Sequence, residues 1–313
     1  MAEAPEWFST ALAADRRDRR IDVAGTSIHF LEWGRPGDPG LVLVHGGAAH
    51  AHWWTFLAPM LAMGYHVVAL DLSGHGDSGR RDEYSHAVWA EEVLAVAAAA
   101  GFPGPPVVVG HSLGGMVTIQ TAADHGDRLA GAVIVDSPVR RPDPESEEGS
   151  RGRTFRNPGA YADLETALSH FRLVPPQPCD NDFIVDYVAR HSLHETDRGW
   201  TWKFDPHLFA HALIPLREQL ASVRCRVALL RGELSVVVPP DTAEYMYELM
   251  GRNAPVASIP YAHHHLILDQ PLAFVAAVRT LLADWEHSTP RKRPTDAAAS
   301  ADTQTRGDRA PGS

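Results

Sequence analysis

The sequence predicts an α/β fold with a mainly parallel central sheet flanked by helices. Residues 41–44 and 107–109 are continuous apolar runs, which are typical of strands covered on both faces. Helical stretches alternate with such runs along the chain, and this alternation indicates βαβ crossovers. A chain of 313 residues is long enough to bury the core of one large domain with an insertion.

Each element follows from a local pattern. Residues 21–34 alternate in polarity around Gly25-Thr26, which predicts a β-hairpin, and residues 1–20 predict a peripheral helix that ends in the charged run 15–20. The other predicted strands are residues 41–44, 65–70, 106–110, 132–135, 226–230 and 256–259. The other predicted helices are residues 53–63, 84–100, 113–125, 240–250 and 270–284. A sheet of this kind binds its ligand beyond the carboxyl ends of its strands.

The alternation stops after Pro138. Residues 139–212 are rich in charge and proline, with helical patches at 160–171 and 181–192 and an aromatic run at 200–204. Ordered loops of this length are uncommon, so we expect an inserted, mostly helical cap. The expected organisation is a first part of the core at 1–138, a cap at 139–212, a second part of the core at 213–285 and a disordered tail at 286–313, where apolar side chains are scarce.

Composition excludes several classes of protein. The formal net charge is −11 and the basic residues form no long stripe, which argues against nucleic-acid binding. The two cysteines, Cys179 and Cys225, have no metal-ligand spacing and indicate no disulfide framework. No apolar window approaches the ~18 residues of a membrane span, and residues 1–7 do not resemble a signal peptide. We expect a cytoplasmic protein that acts on small molecules.

The most informative stretch is residues 107–115, Val-Val-Val-Gly-His-Ser-Leu-Gly-Gly. It places Ser112 between a predicted strand and a predicted helix. The flanking Gly110 and Gly114 lack the Cβ atoms that would clash in so tight a turn. The serine oxygen is then raised above the sheet, with the N–H of Leu113 at a helix N-terminus directed to the same space. The pattern predicts a nucleophilic serine.

Four pieces of sequence together resemble the α/β-hydrolase family, over about residues 20–285. They are His45-Gly46-Gly47, residues 71–78, residues 110–115 around Ser112, and residues 264–271. The resemblance implies a serine hydrolase that needs no cofactor. Such an enzyme cleaves a carboxylic ester, thioester or lactone through an acyl-enzyme on Ser112. The resemblance does not identify the substrate.

The resemblance also implies an oxyanion hole. Acyl transfer needs N–H donors directed at the oxygen that becomes negative. In the family, one donor is the residue after His-Gly, which is Gly47 here, with Ala48 as the nearest substitute. The other donor follows the nucleophile and is Leu113.

Three consecutive histidines, His263, His264 and His265, are candidates for the general base. Family members commonly have an acidic residue five positions after the base and a proline two positions further on. Asp269 and Pro271 fit this register only for His264, and the other two histidines stay open as alternatives. Neighbouring histidines in a loop rarely converge on one ion without help from elsewhere, so we expect no metal site.

The acid of the triad departs from the family pattern. Its usual place lies in the stretch 232–239, where the sequence has Ser235 instead of an aspartate. Loss of that carboxylate can cost ~10⁴ in kcat. Asp136 ends the strand after the nucleophile helix and resembles the relocated acid of some family members. Glu233, or no acid at all, remains an alternative.

Other functions stay open on the same residues. The fold also hosts hydrolases of carbon–carbon bonds and lyases, and the missing acid allows a non-catalytic binding module. Asp71 and His75 are as compatible with a structural brace as with catalysis. Several aromatic side chains could line an apolar pocket or belong to the core; they are Trp53, Trp54, Trp200, Trp202 and Phe204. Oligomeric state is not indicated.

Overall fold

The computed structural model describes residues 4–142, 159–209 and 215–288. The strands are β1 (Arg17–Val23), β2 (Thr26–Trp33), β3 (Gly40–Val44), β4 (His66–Leu70), β5 (Val107–His111), β6 (Gly131–Val135), β7 (Leu193–Thr196), β8 (Gly199–Trp202), β9 (Arg226–Gly232) and β10 (Val256–Ile259). The α-helices are α1 (Glu6–Ala13), α2 (Ala58–Leu61), α3 (His86–Ala100), α4 (Leu113–His125), α5 (Leu164–Ser169), α6 (Asp182–His191), α7 (Arg217–Ser222), α8 (Pro240–Leu249), α9 (Leu266–Asp269) and α10 (Pro271–His287). Short 3₁₀ helices lie at Ala51–Trp54, Gly126–Arg128 and Pro206–Phe209.

The main sheet has the strand order β1-β2-β4-β3-β5-β6-β9-β10. Strands β1 and β2 form the hairpin predicted around Gly25, and β2 is also antiparallel to β4. The remaining neighbours are parallel. The predicted fold class, a mainly parallel sheet flanked by helices, is therefore confirmed. Its parallel strands end at one edge, and the loops that follow β3, β5, β6, β9 and β10 meet there.

Both faces of the sheet are covered by apolar side chains. In β3, Val42 and Val44 pack in the cluster that includes α3 and α4, whereas Leu41 and Leu43 pack on the opposite face with α2 and α10. All four side chains are fully buried. Burial of each such side chain stabilises the fold by about 1.5–3 kcal/mol, and this two-sided packing explains why these strands are continuous apolar runs.

The first predicted helix is only partly correct. Helix α1 ends at Ala13, and the charged run that was expected to close it continues into strand β1. This strand lies at the edge of the sheet, where charged side chains protect an exposed edge from pairing with other chains. Arg17 lies opposite Glu32 of β2 and Arg19 lies opposite Phe30, and both arginines form ion pairs with Glu32. The charges therefore belong to a cross-strand network.

The helix predicted over 53–63 is divided. The chain forms the 3₁₀ helix Ala51–Trp54 and then the short helix α2, which has Pro59 in its first turn. Proline lacks the N–H that a continuous helix would use and is accommodated in a first turn. This residue therefore explains why a new helix begins at Ala58.

The segment between β6 and β9 contains α5, α6 and α7, together with the antiparallel hairpin β7–β8. The aromatic run at 200–204 falls largely in β8, so the expected helical cap also contains a small sheet. The hydroxyl of Ser192 lies 2.9 Å from His50 Nε2, which connects this segment to the loop after β3. Part of the segment lies outside the described residues.

The predicted chain organisation needs one adjustment at its end. Helix α10 continues to His287, so residues 286 and 287 belong to a helix and not to a tail. From residue 289 onward the predicted disordered tail lies outside the described residues. The limits of the core and the cap stay predictions. Within the described ranges, no helix combines the length and apolar character needed to cross a membrane.

Buried histidines should make this fold sensitive to acid. Burial disfavours the charged imidazolium and lowers the pKa of His45, His50, His52, His75, His86, His111, His191 and His265. In the unfolded chain the same side chains bind protons near pH 6.5. Because the unfolded state then binds more protons than the folded state, stability falls as the pH decreases below this value.

Replacing His86 with phenylalanine tests this linkage. His86 is buried beside Trp89, and burial lowers its pKa to about 4. The variant keeps an aromatic ring but cannot bind a proton. It should reduce the loss of unfolding free energy between pH 7 and pH 4 by on the order of 2–3 kcal/mol, as measured by urea denaturation. His287→Gln, at an exposed position, is the control and should leave the pH dependence unchanged; an identical effect of both variants would contradict the explanation.

Candidate active site

Ser112 occupies a strained turn between β5 and α4. Its backbone has φ 54° and ψ −118°, a conformation that L-residues rarely adopt. The Ser112 N–H donates to the carbonyl of Val135 at 2.9 Å, which anchors the turn to β6. A Cβ on Gly110 would overlap the carbonyl oxygen of Gly114, and one on Gly114 would overlap that of Val44. Glycine is therefore required at both positions, as the motif predicted.

His264 lies in the loop after β10 and reaches the serine. Its Nε2 is 3.1 Å from Ser112 Oγ, and its Nδ1 is 2.7 Å from Asp136 Oδ2. The ring is 3% exposed. An ionised carboxylate only accepts hydrogen bonds, so Nδ1 carries the proton and Nε2 presents a lone pair to the serine hydroxyl. This is the protonation that a general base for Ser112 requires.

Asp136 is held by three donors in a fully buried position. Its Oδ1 accepts from the N–H of Gly232 at 2.9 Å. Its Oδ2 accepts from the hydroxyl of Ser235 at 2.5 Å and from His264 Nδ1 at 2.7 Å. A buried charge without such partners would be strongly unfavourable. These hydrogen bonds direct the carboxylate at the imidazole.

Ser235 has a role that the sequence did not reveal. In the sequence it stands out only as the residue at the position where the family usually has the acid. In the structure its Oγ accepts from the N–H groups of Val237 and Val238, at 3.1 and 3.3 Å, and donates to Asp136. The side chain at the usual acid position therefore supports the relocated carboxylate. A serine at this position, together with an aspartate after β6, is the signal that could have indicated it.

The alternative acid, Glu233, and the alternative bases, His263 and His265, do not make the contacts that a triad requires. The Glu233 carboxylate accepts from the N–H of Tyr261 at 3.0 Å, on the protein surface. His263 is partly exposed, with Nδ1 3.4 Å from Asp269. The ring of His265 is buried 4.7 Å from that of His264. Among the described residues, only His264 hydrogen-bonds both Ser112 and Asp136.

Asp269 explains the register seen in the sequence. It accepts from the N–H of His263 at 2.7 Å and so holds the loop immediately before His264. Gln177, from the segment between β6 and β9, donates to Asp269 at 2.8 Å and accepts from the N–H of His265 at 2.8 Å. Gln177 thus connects the segment between β6 and β9 to the loop that carries His264. Nothing in the sequence pointed to Gln177.

The loop after β3 brings glycines to the serine. A Cβ on Gly46 would lie 3.3 Å from Ser112 Cβ, so this backbone passes directly beside Ser112. His45 Nε2 accepts from the Leu72 N–H at 3.1 Å, and its Nδ1 donates to Gly46 O at 2.7 Å. Within the described part of the chain, the N–H groups of Gly47 and Leu113 make no hydrogen bond. Both therefore remain candidates to bind an oxyanion.

Asp71 holds neighbouring loops together through hydrogen bonds. It accepts from the N–H groups of Ala51 and Asp77 and lies 2.7 Å from His29 Nδ1. Burial would raise the pKa of Asp71, but the hydrogen bond and charge of His29 outweigh it and hold the pKa well below its usual range. His75 is buried against the ring of His45. These contacts favour the structural interpretation of both residues.

The aromatic candidates lie in different surroundings. Trp54 is fully buried and packs on Phe274, which identifies it as core. Trp53 is buried with its ring 5.5 Å from that of His265. The remaining candidates, Trp200, Trp202 and Phe204, are half-buried in and after β8. Among these five, Trp53 therefore has the contact nearest to the catalytic candidates.

The architecture and the site together define a class of protein. A serine on a strained strand-to-helix turn, a histidine and an aspartate meet at the carboxyl edge of a mainly parallel sheet. This arrangement is typical of serine hydrolases.

Comparison with known proteins gives the family. The model described as the alpha/beta hydrolase family matches residues 41–278. An esterase of Mycobacterium tuberculosis is 28% identical over 274 residues, which cover 83% of this chain and 88% of that protein. A pimeloyl-[acyl-carrier protein] methyl ester esterase of Nitrosomonas europaea is 29% identical, over 82% of this chain and 99% of that protein. The chain belongs to the alpha/beta hydrolase family and is a hydrolase.

A solved structure supports the same fold. E-2-(acetamidomethylene)succinate hydrolase aligns with a TM-score of 0.76 at 20% identity, over 86% of this chain and 100% of that chain. At this identity the similarity concerns the fold alone.

Proposed function

We propose that the protein is a cofactor-independent hydrolase of a carboxylic ester, thioester or lactone, with Ser112 as the nucleophile. The observation that carries this proposal is the continuous path of contacts from Asp136 through His264 to Ser112, with distances of 2.7 and 3.1 Å. The two esterases similar to this chain support an ester as the substrate. A small ester-like partner and a cytoplasmic location belong to the same proposal.

The proposed reaction has two stages. His264 Nε2 takes the proton of Ser112 as Oγ attacks the carbonyl carbon, and the Gly47 and Leu113 N–H groups bind the resulting oxyanion. The tetrahedral intermediate then collapses, and His264 returns the proton to the leaving alcohol or thiol. In the second stage His264 deprotonates a water molecule, which attacks the acyl-enzyme. His264 then gives this proton to Ser112 Oγ as the bond to the acyl group breaks and the acid leaves. Asp136 stabilises the imidazolium in both stages.

The predicted cap, residues 139–212, is part of this proposal. Gln177 connects it to the loop of His264 at 2.8 Å, and Ser192 connects it to His50 at 2.9 Å. The segment is thus attached to two of the loops that follow strands of the main sheet. We expect it to limit which acyl and alcohol groups reach Ser112, because specificity in this fold depends on such insertions.

Covalent labelling tests the nucleophile directly. A fluorophosphonate should add one phosphonyl group to the protein, and peptide mass spectrometry should place it on Ser112. The Ser112→Ala variant should take up no label under the same conditions. Modification of another residue in the native protein, or unchanged labelling of the variant, would contradict the proposal.

Product analysis separates the proposal from the alternatives on the same fold. The protein should hydrolyse p-nitrophenyl esters, and a series of acyl chain lengths would define the acyl preference. A carbon–carbon hydrolase would instead cleave a diketone and leave the ester panel largely intact. The non-catalytic alternative depended on the missing acid, and the contact between Asp136 and His264 removes that reason.

A further inference from the structure

Three histidines form a cluster beside the serine. His111, His264 and His265 each offer one ring nitrogen, and these nitrogens all lie within 4.8 Å of one another. The three rings are at most 5% exposed. In the sequence only the consecutive histidines 263–265 stand out, because His111 comes from the end of β5, about 150 residues before that loop.

The hydrogen bonds identify the nitrogen that His111 offers. His111 Nε2 lies 2.9 Å from the carbonyl oxygen of His264, and because a carbonyl only accepts, Nε2 must carry the proton. Nδ1 therefore holds a lone pair, and it has no hydrogen-bond partner among the described residues. A Cβ on Gly46 would lie 3.3 Å from both this nitrogen and Ser112 Cβ, so Nδ1 lies next to the glycine that borders Ser112.

His265 also has ring nitrogens that could bind a ligand. Neither of its ring nitrogens makes a well-formed hydrogen bond within the described part of the chain, although the Val174 carbonyl lies close enough to favour its protonated form slightly. Buried polar atoms are normally paired. Unpaired nitrogens on two neighbouring buried rings indicate a site that a ligand can complete.

The surroundings of the cluster resemble those of metal-binding histidines. Such histidines usually donate their second ring N–H to a carboxylate or a backbone carbonyl, which orients the ligating nitrogen. His264 donates Nδ1–H to Asp136, and His111 donates Nε2–H to a carbonyl. Two of the three rings therefore already have the supporting contacts that a metal ligand requires.

We propose that Zn²⁺ binds His111, His264 and His265 and thereby inhibits the hydrolase reversibly. Imidazole nitrogens suit this ion, which takes three or four such ligands. A tetrahedral ion holds its nitrogens roughly 3.4 Å apart, so the rings would approach one another by rotation. Ser112 is only partly buried, and the ion enters from its side. Occupation of His264 Nε2 removes the lone pair that takes the serine proton, a consequence that rests on the proposed function.

Titration with zinc chloride tests the site without relying on activity. Isothermal calorimetry of the native protein should show one zinc ion per chain. The His265→Phe variant keeps a ring against Trp53 but loses a ligand, and it should bind zinc at least about tenfold more weakly, since even indirect changes around metal ligands cost 10–100-fold in affinity. His265→Gln provides a second variant in case the first does not fold. His191→Phe, which removes a histidine next to His52, is the control and should retain native affinity.

Inhibition should follow binding. Zinc should suppress hydrolysis of a p-nitrophenyl ester in the native protein, EDTA should restore it, and His265→Phe should raise the inhibitory zinc concentration by the same factor as the binding constant. Zinc binding that His265→Phe leaves unchanged, or that His191→Phe abolishes, would overturn the proposed site. If zinc binds as predicted but no ester is cleaved, the proposed function fails and the metal site stands. If the ester is cleaved but zinc does not bind, the metal site fails and the proposed function stands.

Discussion

Replacing Ser112 with alanine is expected to lower kcat for ester hydrolysis by about 10⁶, the effect seen when a triad serine or histidine is removed. The loss is large because Asp136 and His264 act only through the hydroxyl, whose Oγ lies 3.1 Å from His264 Nε2. The remaining catalysis would come from substrate binding and the oxyanion donors. Since alanine retains a Cβ, the variant should keep the strained backbone at φ 54° and the native fold.

Steady-state kinetics with a p-nitrophenyl ester provide the measurement, and KM should change far less than kcat. Ser169→Ala is a suitable control, because this serine is exposed in α5 and far along the chain from the site. It should retain native activity. Residual activity above about 1% in Ser112→Ala, well beyond what binding alone supplies, would show that another group attacks the substrate.

Replacing Asp136 with asparagine is expected to lower kcat by about 10⁴, as in a serine triad that loses its carboxylate but keeps its geometry. Asparagine has nearly the same shape, so the N–H of Gly232 and the hydroxyl of Ser235 retain a partner. The amide cannot stabilise an imidazolium as a negative charge does. Glu233→Gln is the matched control, because its carboxylate binds the N–H of Tyr261, and it should leave kcat nearly unchanged.

A second test moves the carboxylate from residue 136 to residue 235, where the family usually has it. Because Ser235 Oγ lies 2.5 Å from Asp136 Oδ2, an aspartate introduced there can approach the same imidazole. The double variant Asp136→Asn/Ser235→Asp should therefore recover part of the activity lost in Asp136→Asn. The single variant Ser235→Asp places two buried carboxylates side by side, which forces one to bind a proton, and it should be less stable than the native protein. Full activity in Asp136→Asn would exclude this residue as the acid.

Local pattern was sufficient for much of the fold. The apolar runs of β3 and β5 predicted buried strands because both of their faces are covered, and that requirement is visible in the residues themselves. The turn at Ser112 could be predicted in the same way, because that turn requires the glycines on either side of the serine. The errors arose where neighbours in space decide the outcome. Arg17 and Arg19 belong to an edge strand whose pairing with β2 brings both of them to Glu32. This pairing cannot be recognised from the local pattern of residues 15–20.

The sequence by itself predicted the strand and helix alternation and the tight turn at Ser112, and its family resemblance favoured His264 through the spacing from Asp269. The tertiary structure alone decided how distant side chains meet. Asp136 and His264 are 128 residues apart, and they come together because β6 pairs with β9 and β9 with β10, so that the loops at one edge of the sheet converge. The same strand order places Ser235 beneath Asp136 and brings His111 to the histidines of the last loop. Contacts of this kind depend on which strands are neighbours, and local sequence does not specify strand order.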